Sequence, residues 1–101
     1  MHIISKSPLK DFWSQHPAAK TALKAWYKQM AAANYANLAE LKQTVTASAD
    51  IVGNFTVFNI GGNKFRLIAF IDYQYRKVFI RAVLTHEEYD QEKWKKDPWF
   101  N

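Results

Sequence analysis

A change in hydrophobic period near residue 55 divides this chain. Before it, apolar residues recur at helical spacing. Leu23, Trp26, Tyr27 and Met30 stand at i, i+3, i+4 and i+7, which is the stripe of an amphipathic helix. From Phe55 the alternation is every second residue, as in Phe55-Thr-Val-Phe-Asn-Ile60, and that period predicts strands. Helices first and strands second describe an α+β fold: a small antiparallel meander with N-terminal helices packed on one face and a short C-terminal helix.

Local signals set the boundaries. His2-Ile3-Ile4 reads as a short first strand. Ser7-Pro8 opens a helix, serine as N-cap and proline at the first position, and Pro17 stops it near His16. Pro17 opens a longer helix to about Ala33. Its Lys20, Lys24 and Lys28 recur on another face, read as a solvated side. Asn37 and Glu40 have capping-box spacing, giving a short helix to about Thr44, and Thr46 to Asp50 reads as loop. Strands follow over Phe55–Ile60, Lys64–Asp72 and Lys77–Leu84, joined by turns at Gly61-Gly62-Asn63 and around Tyr73–Arg76. Thr85 and Glu88 form a second capping box that makes His86 the first residue of a helix. The tail from Lys95 to Asn101 reads as one helical turn and a loose end, with Trp99 and Phe100 free to fold back on the sheet.

Composition fits one small domain over residues 1–101, since 49% of residues are hydrophobic and can fill a core. The formal net charge of +5 points to an anionic partner such as nucleic acid. With no cysteine, disulfides and Cys-based zinc sites are excluded, which suits a cytoplasmic setting. No apolar run approaches the roughly 18 residues of a membrane span, and Met1–Lys6 does not read as a signal peptide. The three histidines lack metal-ligand spacing and the carboxylates are scattered, so neither a metal nor another cofactor is expected.

Alternation sorts the strand residues by face. Phe65, Leu67, Ala69 and Ile71 share one side of the middle strand; Val78, Ile80, Ala82 and Leu84 share one side of the last. Both sets are expected to pack on the helices, which turns Arg66 and Arg81 to the opposite face. A two- or four-residue hairpin loop makes the arginines opposite or diagonal neighbours, with Cβ atoms roughly 5 to 8 Å apart. Like charges so close call for an anion between them, unless Asp72, Glu87 or Glu88 neutralises them. Ile68, Phe70, Phe79 and Val83 around them offer a flat apolar surface for bases. His86 adds a group able to move a proton near neutral pH, and Tyr89 follows at i+3 on the same helical face.

Long motifs then carry a resemblance. Ile3-Ile4-Ser5, Phe12-Trp13, Ala25-Trp26-Tyr27, Val57-Phe-Asn-Ile-Gly-Gly-Asn-Lys-Phe-Arg-Leu-Ile-Ala69 and Val78-Phe-Ile-Arg-Ala-Val-Leu-Thr-His-Glu-Glu-Tyr-Asp90 resemble the HigB-type toxins of bacterial type II toxin–antitoxin modules, to about Trp94. The resemblance implies the RelE/ParE superfamily fold and an mRNA interferase that cuts transcripts on the ribosome without metal. It also implies a HigA-like helix-turn-helix antitoxin, and operator DNA contacted only through the complex. Carried onto this chain, it marks Asn63, Lys64 and Arg66 in one block and Arg81, His86 and Tyr89 in the other. Arg66, Arg81, His86 and Tyr89 are the catalytic candidates; Asn63, Lys64 and Lys77 are the RNA-binding candidates. The ParE branch of that superfamily supplies an alternative, a non-enzymatic gyrase poison. A third reading is a protein that binds RNA or antitoxin without catalysis.

Overall fold

The computed structural model describes Met1–Asn101. In chain order the elements are β1 (His2–Ile4), α1 (Ser7–Gln15), α2 (Lys20–Ala32), α3 (Leu38–Thr44), β2 (Ala49–Val52), β3 (Phe55–Ile60), β4 (Phe65–Asp72), β5 (Lys77–Thr85) and α4 (His86–Asp90). A 3₁₀ turn over Pro17–Ala19 leads into α2, and two more, Lys93–Lys96 and Pro98–Phe100, end the chain. The five strands form one sheet in the order β1-β5-β4-β3-β2. β1 runs parallel to β5 and the other pairs are antiparallel. The architecture is the α+β arrangement expected, with two strands more than the meander.

The helices cover one sheet face. Leu9, Leu23, Trp26, Met30 and Leu41 from the helices pack with Phe58, Ile60, Leu67, Ala69 and Val78 from the sheet, all essentially without exposure. Each large side chain so buried stabilises the fold by about 1.5–3 kcal/mol. Leu67→Ala would open a cavity at the centre of this layer and cost about 2–5 kcal/mol. On the other face Phe55, Val57 and Ile68 form a second cluster, sealed by Trp94 from the C-terminal segment and joined by Tyr89 and Phe100.

Four local readings are corrected. Ser7 is the first residue of α1 and does not cap it; its Oγ lies 3.2 Å from Ser5 Oγ instead. β2 replaces the end of the loop expected over Thr46–Asp50. Gly53, at φ +59°, turns the chain so that Val52 faces Phe55 across a two-residue loop. The face assignment of β5 holds only to Ile80, because β4 and β5 slip register between Ile68 and Ala69. Ala69 pairs with Ile80 and Ile68 with Ala82, leaving Arg81 as the extra residue of a bulge. Past that point the parity reverses: Val83 packs on the helix side, while Ala82 and Leu84 join the second cluster. Lastly, the tail is docked. Asn54 N–H donates to the Phe100 carbonyl at 2.9 Å, and Asn54 Nδ2 to that of Trp99 at 3.3 Å.

Candidate functional site

The β3–β4 turn, the end of β5 and the start of α4 meet at one end of the sheet. Phe65 pairs with Thr85, so the chain leaves β5 beside the residue that opens β4. His86 N–H donates to the Lys64 carbonyl at 3.0 Å and ties the two segments together. Thr85 fixes the direction of α4 through both halves of its capping box: Thr85 Oγ1 accepts from Glu88 N–H at 3.2 Å, and Glu88 Oε1 accepts from Thr85 N–H at 3.0 Å. Asn63, Lys64 and His86 therefore form an exposed polar rim.

Arg66 lies under this rim. It is only 8% exposed, and its Nη1 donates to the carbonyls of Asn63 (3.0 Å) and Phe65 (3.1 Å). Its guanidinium sits 5.3 Å from the centre of the Tyr89 ring. Tyr89 in turn stacks on Trp94, centroids 5.1 Å apart and planes 12° off parallel, and Trp94 Nε1 donates to the Tyr89 carbonyl at 3.0 Å. No carboxylate stands within ion-pair distance of Arg66, and its Nε and Nη2 have no acceptor in the chain. A desolvated cation with open donors and no counter-charge is costly, and an anion beside it would offset that cost.

His86 is half exposed, and its Nδ1 lies 3.0 Å from Asp90 Oδ2 one helical turn on. A neutral imidazole that donates Nδ1–H to Asp90 presents Nε2 as a lone pair toward solvent. The His86–Asp90 spacing of i, i+4 is visible in the sequence, and Asp90 is a partner that reasoning from the strand alone overlooks.

Arg81 is placed differently. It shares the second face with Arg66, as alternation predicts, but the bulge sets Leu84 rather than Val83 opposite Arg66, so the two arginines are not cross-strand neighbours. The Arg81 fork binds Asp97: Nε to Oδ2 at 2.7 Å and Nη2 to Oδ1 at 2.9 Å. Trp99 covers the guanidinium at 4.0 Å and meets the rings of Phe70 and Phe79 edge-on. The hydrogen bonds from Arg81 hold the Asp97 carboxyl below the usual carboxylate range against the opposing effect of burial, helped by Trp99 N–H and the positive charge of Arg81. Asp97 carries out the neutralisation sought from Asp72, Glu87 or Glu88. No spacing rule links residues 16 apart, so nothing in the sequence marks it. Lys77 pairs with Asp72 and His2 at the far end of β5, away from the rim.

No three His, Cys, Asp or Glu side chains stand close enough together to hold a metal ion, and no helix is long and apolar enough to cross a membrane. Residues 19–92, which contain the rim, Arg66, Tyr89, Arg81 and Lys77, match the HigB toxin family, described as the RelE-like toxic component of a toxin–antitoxin system. The chain belongs to the HigB toxin family. It is 37% identical over 93 residues to the mRNA interferase toxin HigB of Escherichia coli K12, covering 89% of this chain and 88% of that one. The mRNA interferase HigB of Shigella flexneri is similar to the same degree. A second HigB, from Escherichia coli O6:H1, is 29% identical over 94 residues, 90% of each chain. In this HigB-family chain the tail residues Asp97, Trp99 and Phe100, which clamp Arg81 and close the second face, lie beyond the matched span.

Proposed function

We propose that this chain is an endoribonuclease that cleaves mRNA, with its site at the rim around Arg66 and His86. The observation that carries the reading is the buried Arg66 guanidinium, two of its nitrogens without an acceptor in the chain and no carboxylate in ion-pair reach, below the rim that carries the His86–Asp90 pair. The names of the relatives, mRNA interferases, support it independently.

The chemistry follows from these groups. In RNA the 2′-oxygen attacks the adjacent phosphorus, the bond to the 5′-oxygen breaks, and a 2′,3′-cyclic phosphate and a 5′-hydroxyl result. His86 Nε2 takes the 2′-hydroxyl proton, and the imidazolium formed, steadied by Asp90, is the acid available to the leaving oxygen. Arg66 stabilises the charge that accumulates on the phosphorane, a preorganised contact in a desolvated setting. Tyr89 holds the Arg66 guanidinium on its ring and offers an edge for a base. Lys64 and Asn63 hold the RNA backbone. The groups named suffice for the reaction without a metal. Arg81 is a positioning residue in this reading: through Asp97 it holds the segment that carries Trp94 behind Tyr89. Lys77 stands too far along β5 to share the same phosphate. The RNA is engaged on the translating ribosome, and a helix-turn-helix antitoxin neutralises the toxin and carries the complex to its operator.

Transcripts mapped after induction test this, with purified protein assayed on RNA with and without ribosomes. Cut transcripts ending in 5′-hydroxyls, lost in a folded His86→Ala variant, are expected. Growth arrest without cleavage, or full cleavage by His86→Ala, would overturn it.

A further inference from the structure

Across the Gly61–Asn63 turn from the rim, α2 and the Thr46–Ser48 loop border an open cleft of about 370 Å³ that the proposed chemistry touches only at Asn63. Its volume falls within the range of small-ligand sites. In a chain of net charge +5, none of the residues lining it is charged. A phosphate or carboxylate is therefore poorly served here; a neutral, flat, polar group is well served.

Three features give the lining hydrogen-bonding capacity. Trp26 lines the cleft, is 1% exposed, and its indole N–H has no acceptor. A buried donor left without a partner costs about 1–3 kcal/mol, which a small movement of the ring toward an acceptor in the cleft would recover. Gln29 Oε1 accepts from Thr46 N–H (3.2 Å) and Thr46 Oγ1 (3.3 Å), which leaves the Gln29 amide N–H groups without an acceptor in the chain. Gly61 and Gly62 have φ of +61° and +70°, and a Cβ on Gly62 would meet nothing within 4 Å, so the turn presents bare peptide to its surroundings. Donors are thus the surplus, which suits a ligand edge carrying carbonyl or ring-nitrogen acceptors.

Asn63 links the cleft to the rim: it lines the cleft, while its carbonyl holds Arg66. A group in the cleft and a phosphate at Arg66 are thereby neighbours on either side of one residue. We propose that the cleft is a subsite for one unstacked RNA base flanking the scissile phosphate, and that it supplies sequence preference to cleavage. Proteins read single-stranded RNA in this manner, by hydrogen bonds to the edges of splayed bases. The proposal rests on the RNA-cleavage reading above.

The test compares the native chain with Ala25→Phe and the milder Ala25→Leu, which put bulk into the cleft from the exposed side of α2 and leave the rim untouched. RNA of randomised sequence is offered both free and under translation by ribosomes, and the ends of the products are sequenced. The native protein is expected to prefer one base at a fixed position beside the cut by about tenfold or more, the scale of a hydrogen-bonded pocket. In Ala25→Phe that preference should fall below about threefold, with the rate on disfavoured RNA within about twofold of native. Unphosphorylated guanosine or uridine should also shift the Trp26 indole N–H resonance. An unchanged preference in both variants, each shown folded by circular dichroism, overturns the subsite. So does a loss of antitoxin binding with preference intact, which would make the cleft a protein contact. A native protein that cuts no RNA, either free or under translation, overturns the cleavage reading itself, and the subsite with it.

Discussion

Arg81 and Asp97, 16 residues apart in the chain, meet in a two-pronged ion pair of 2.7 and 2.9 Å with the Trp99 ring lying 4.0 Å from the guanidinium. Asp97 Oδ1 also accepts from Trp99 N–H at 2.9 Å, so one carboxylate both anchors the last turn and caps it. Asp97→Ala should cost about 1–3 kcal/mol, because it leaves a half-buried arginine unpaired and an N–H uncapped. Chemical denaturation measures this, and a loss within error of zero would show that Trp99 and Phe100 hold the tail unaided.

The same pair gives the tail a pH dependence. The folded carboxyl titrates below its ordinary value, chiefly through the hydrogen bonds from Arg81. Its stabilisation is complete above the unfolded value of about 3.9 and is lost as pH falls through the lower folded value. Thermal unfolding of the native chain should weaken in that acid window by more than that of Asp97→Asn, which lacks the titrating group. Parallel curves for the two proteins would contradict the assignment.

Gly53 and Gly62 both have left-handed backbones but should respond unequally to alanine. A Cβ at Gly53 would lie 2.7 Å from Phe100 Cε1 and from the Phe100 carbonyl oxygen; at Gly62 it would meet nothing within 4 Å. Gly62→Ala should cost only the left-handed penalty, about 1–2 kcal/mol. Gly53→Ala adds displacement of Phe100 and should also raise Trp99 accessibility, read as faster fluorescence quenching. Equal costs with unchanged quenching would mean that the tail does not seat on Gly53.

The division into helices and strands, the Thr85 cap and the common face of Arg66 and Arg81 are legible in the sequence because each rests on local periodicity or spacing. The β5 bulge is not, since a register slip depends on how two strands fit, and no residue between Lys77 and Leu84 announces it. β2 left a weak mark in Gly53-Asn54, a two-residue turn before Phe55, but its four residues are too few to show alternation. Asp97 and Trp94 are invisible for a different reason: neither the 16 residues between Arg81 and Asp97 nor the five between Tyr89 and Trp94, past the end of α4, follow a spacing rule, and only the folded tail brings each pair together.

Arg66 separates function from stability. Its guanidinium is desolvated without a carboxylate, and replacing buried charge by an apolar side chain of similar length is often neutral or stabilising. Arg66→Met should therefore change unfolding free energy by no more than about 1 kcal/mol, the lost hydrogen bonds to Asn63 and Phe65 offsetting the relief. RNA cleavage should fall by about 10²–10³, the usual loss for one preorganised donor to a developing oxyanion. A destabilisation above about 3 kcal/mol would recast Arg66 as a structural residue.

His86 and Asp90 divide the proton chemistry between a group that moves the proton and one that orients it. His86→Ala removes the imidazole proposed to move the proton, and should lower the rate by about 10²–10⁴ without unfolding an exposed helix start. Asp90→Asn keeps the imidazole but removes the carboxylate that accepts from Nδ1 and steadies the imidazolium. It should lower the rate by less than His86→Ala, because the imidazole stays in place but loses the carboxylate that orients it. Asp90→Glu, with a longer reach to the same nitrogen, should restore part of the rate. If Asp90→Asn leaves the rate at the native level, or Asp90→Glu restores none of a lost rate, the pair has only a structural role in α4, and the proton passes through another group.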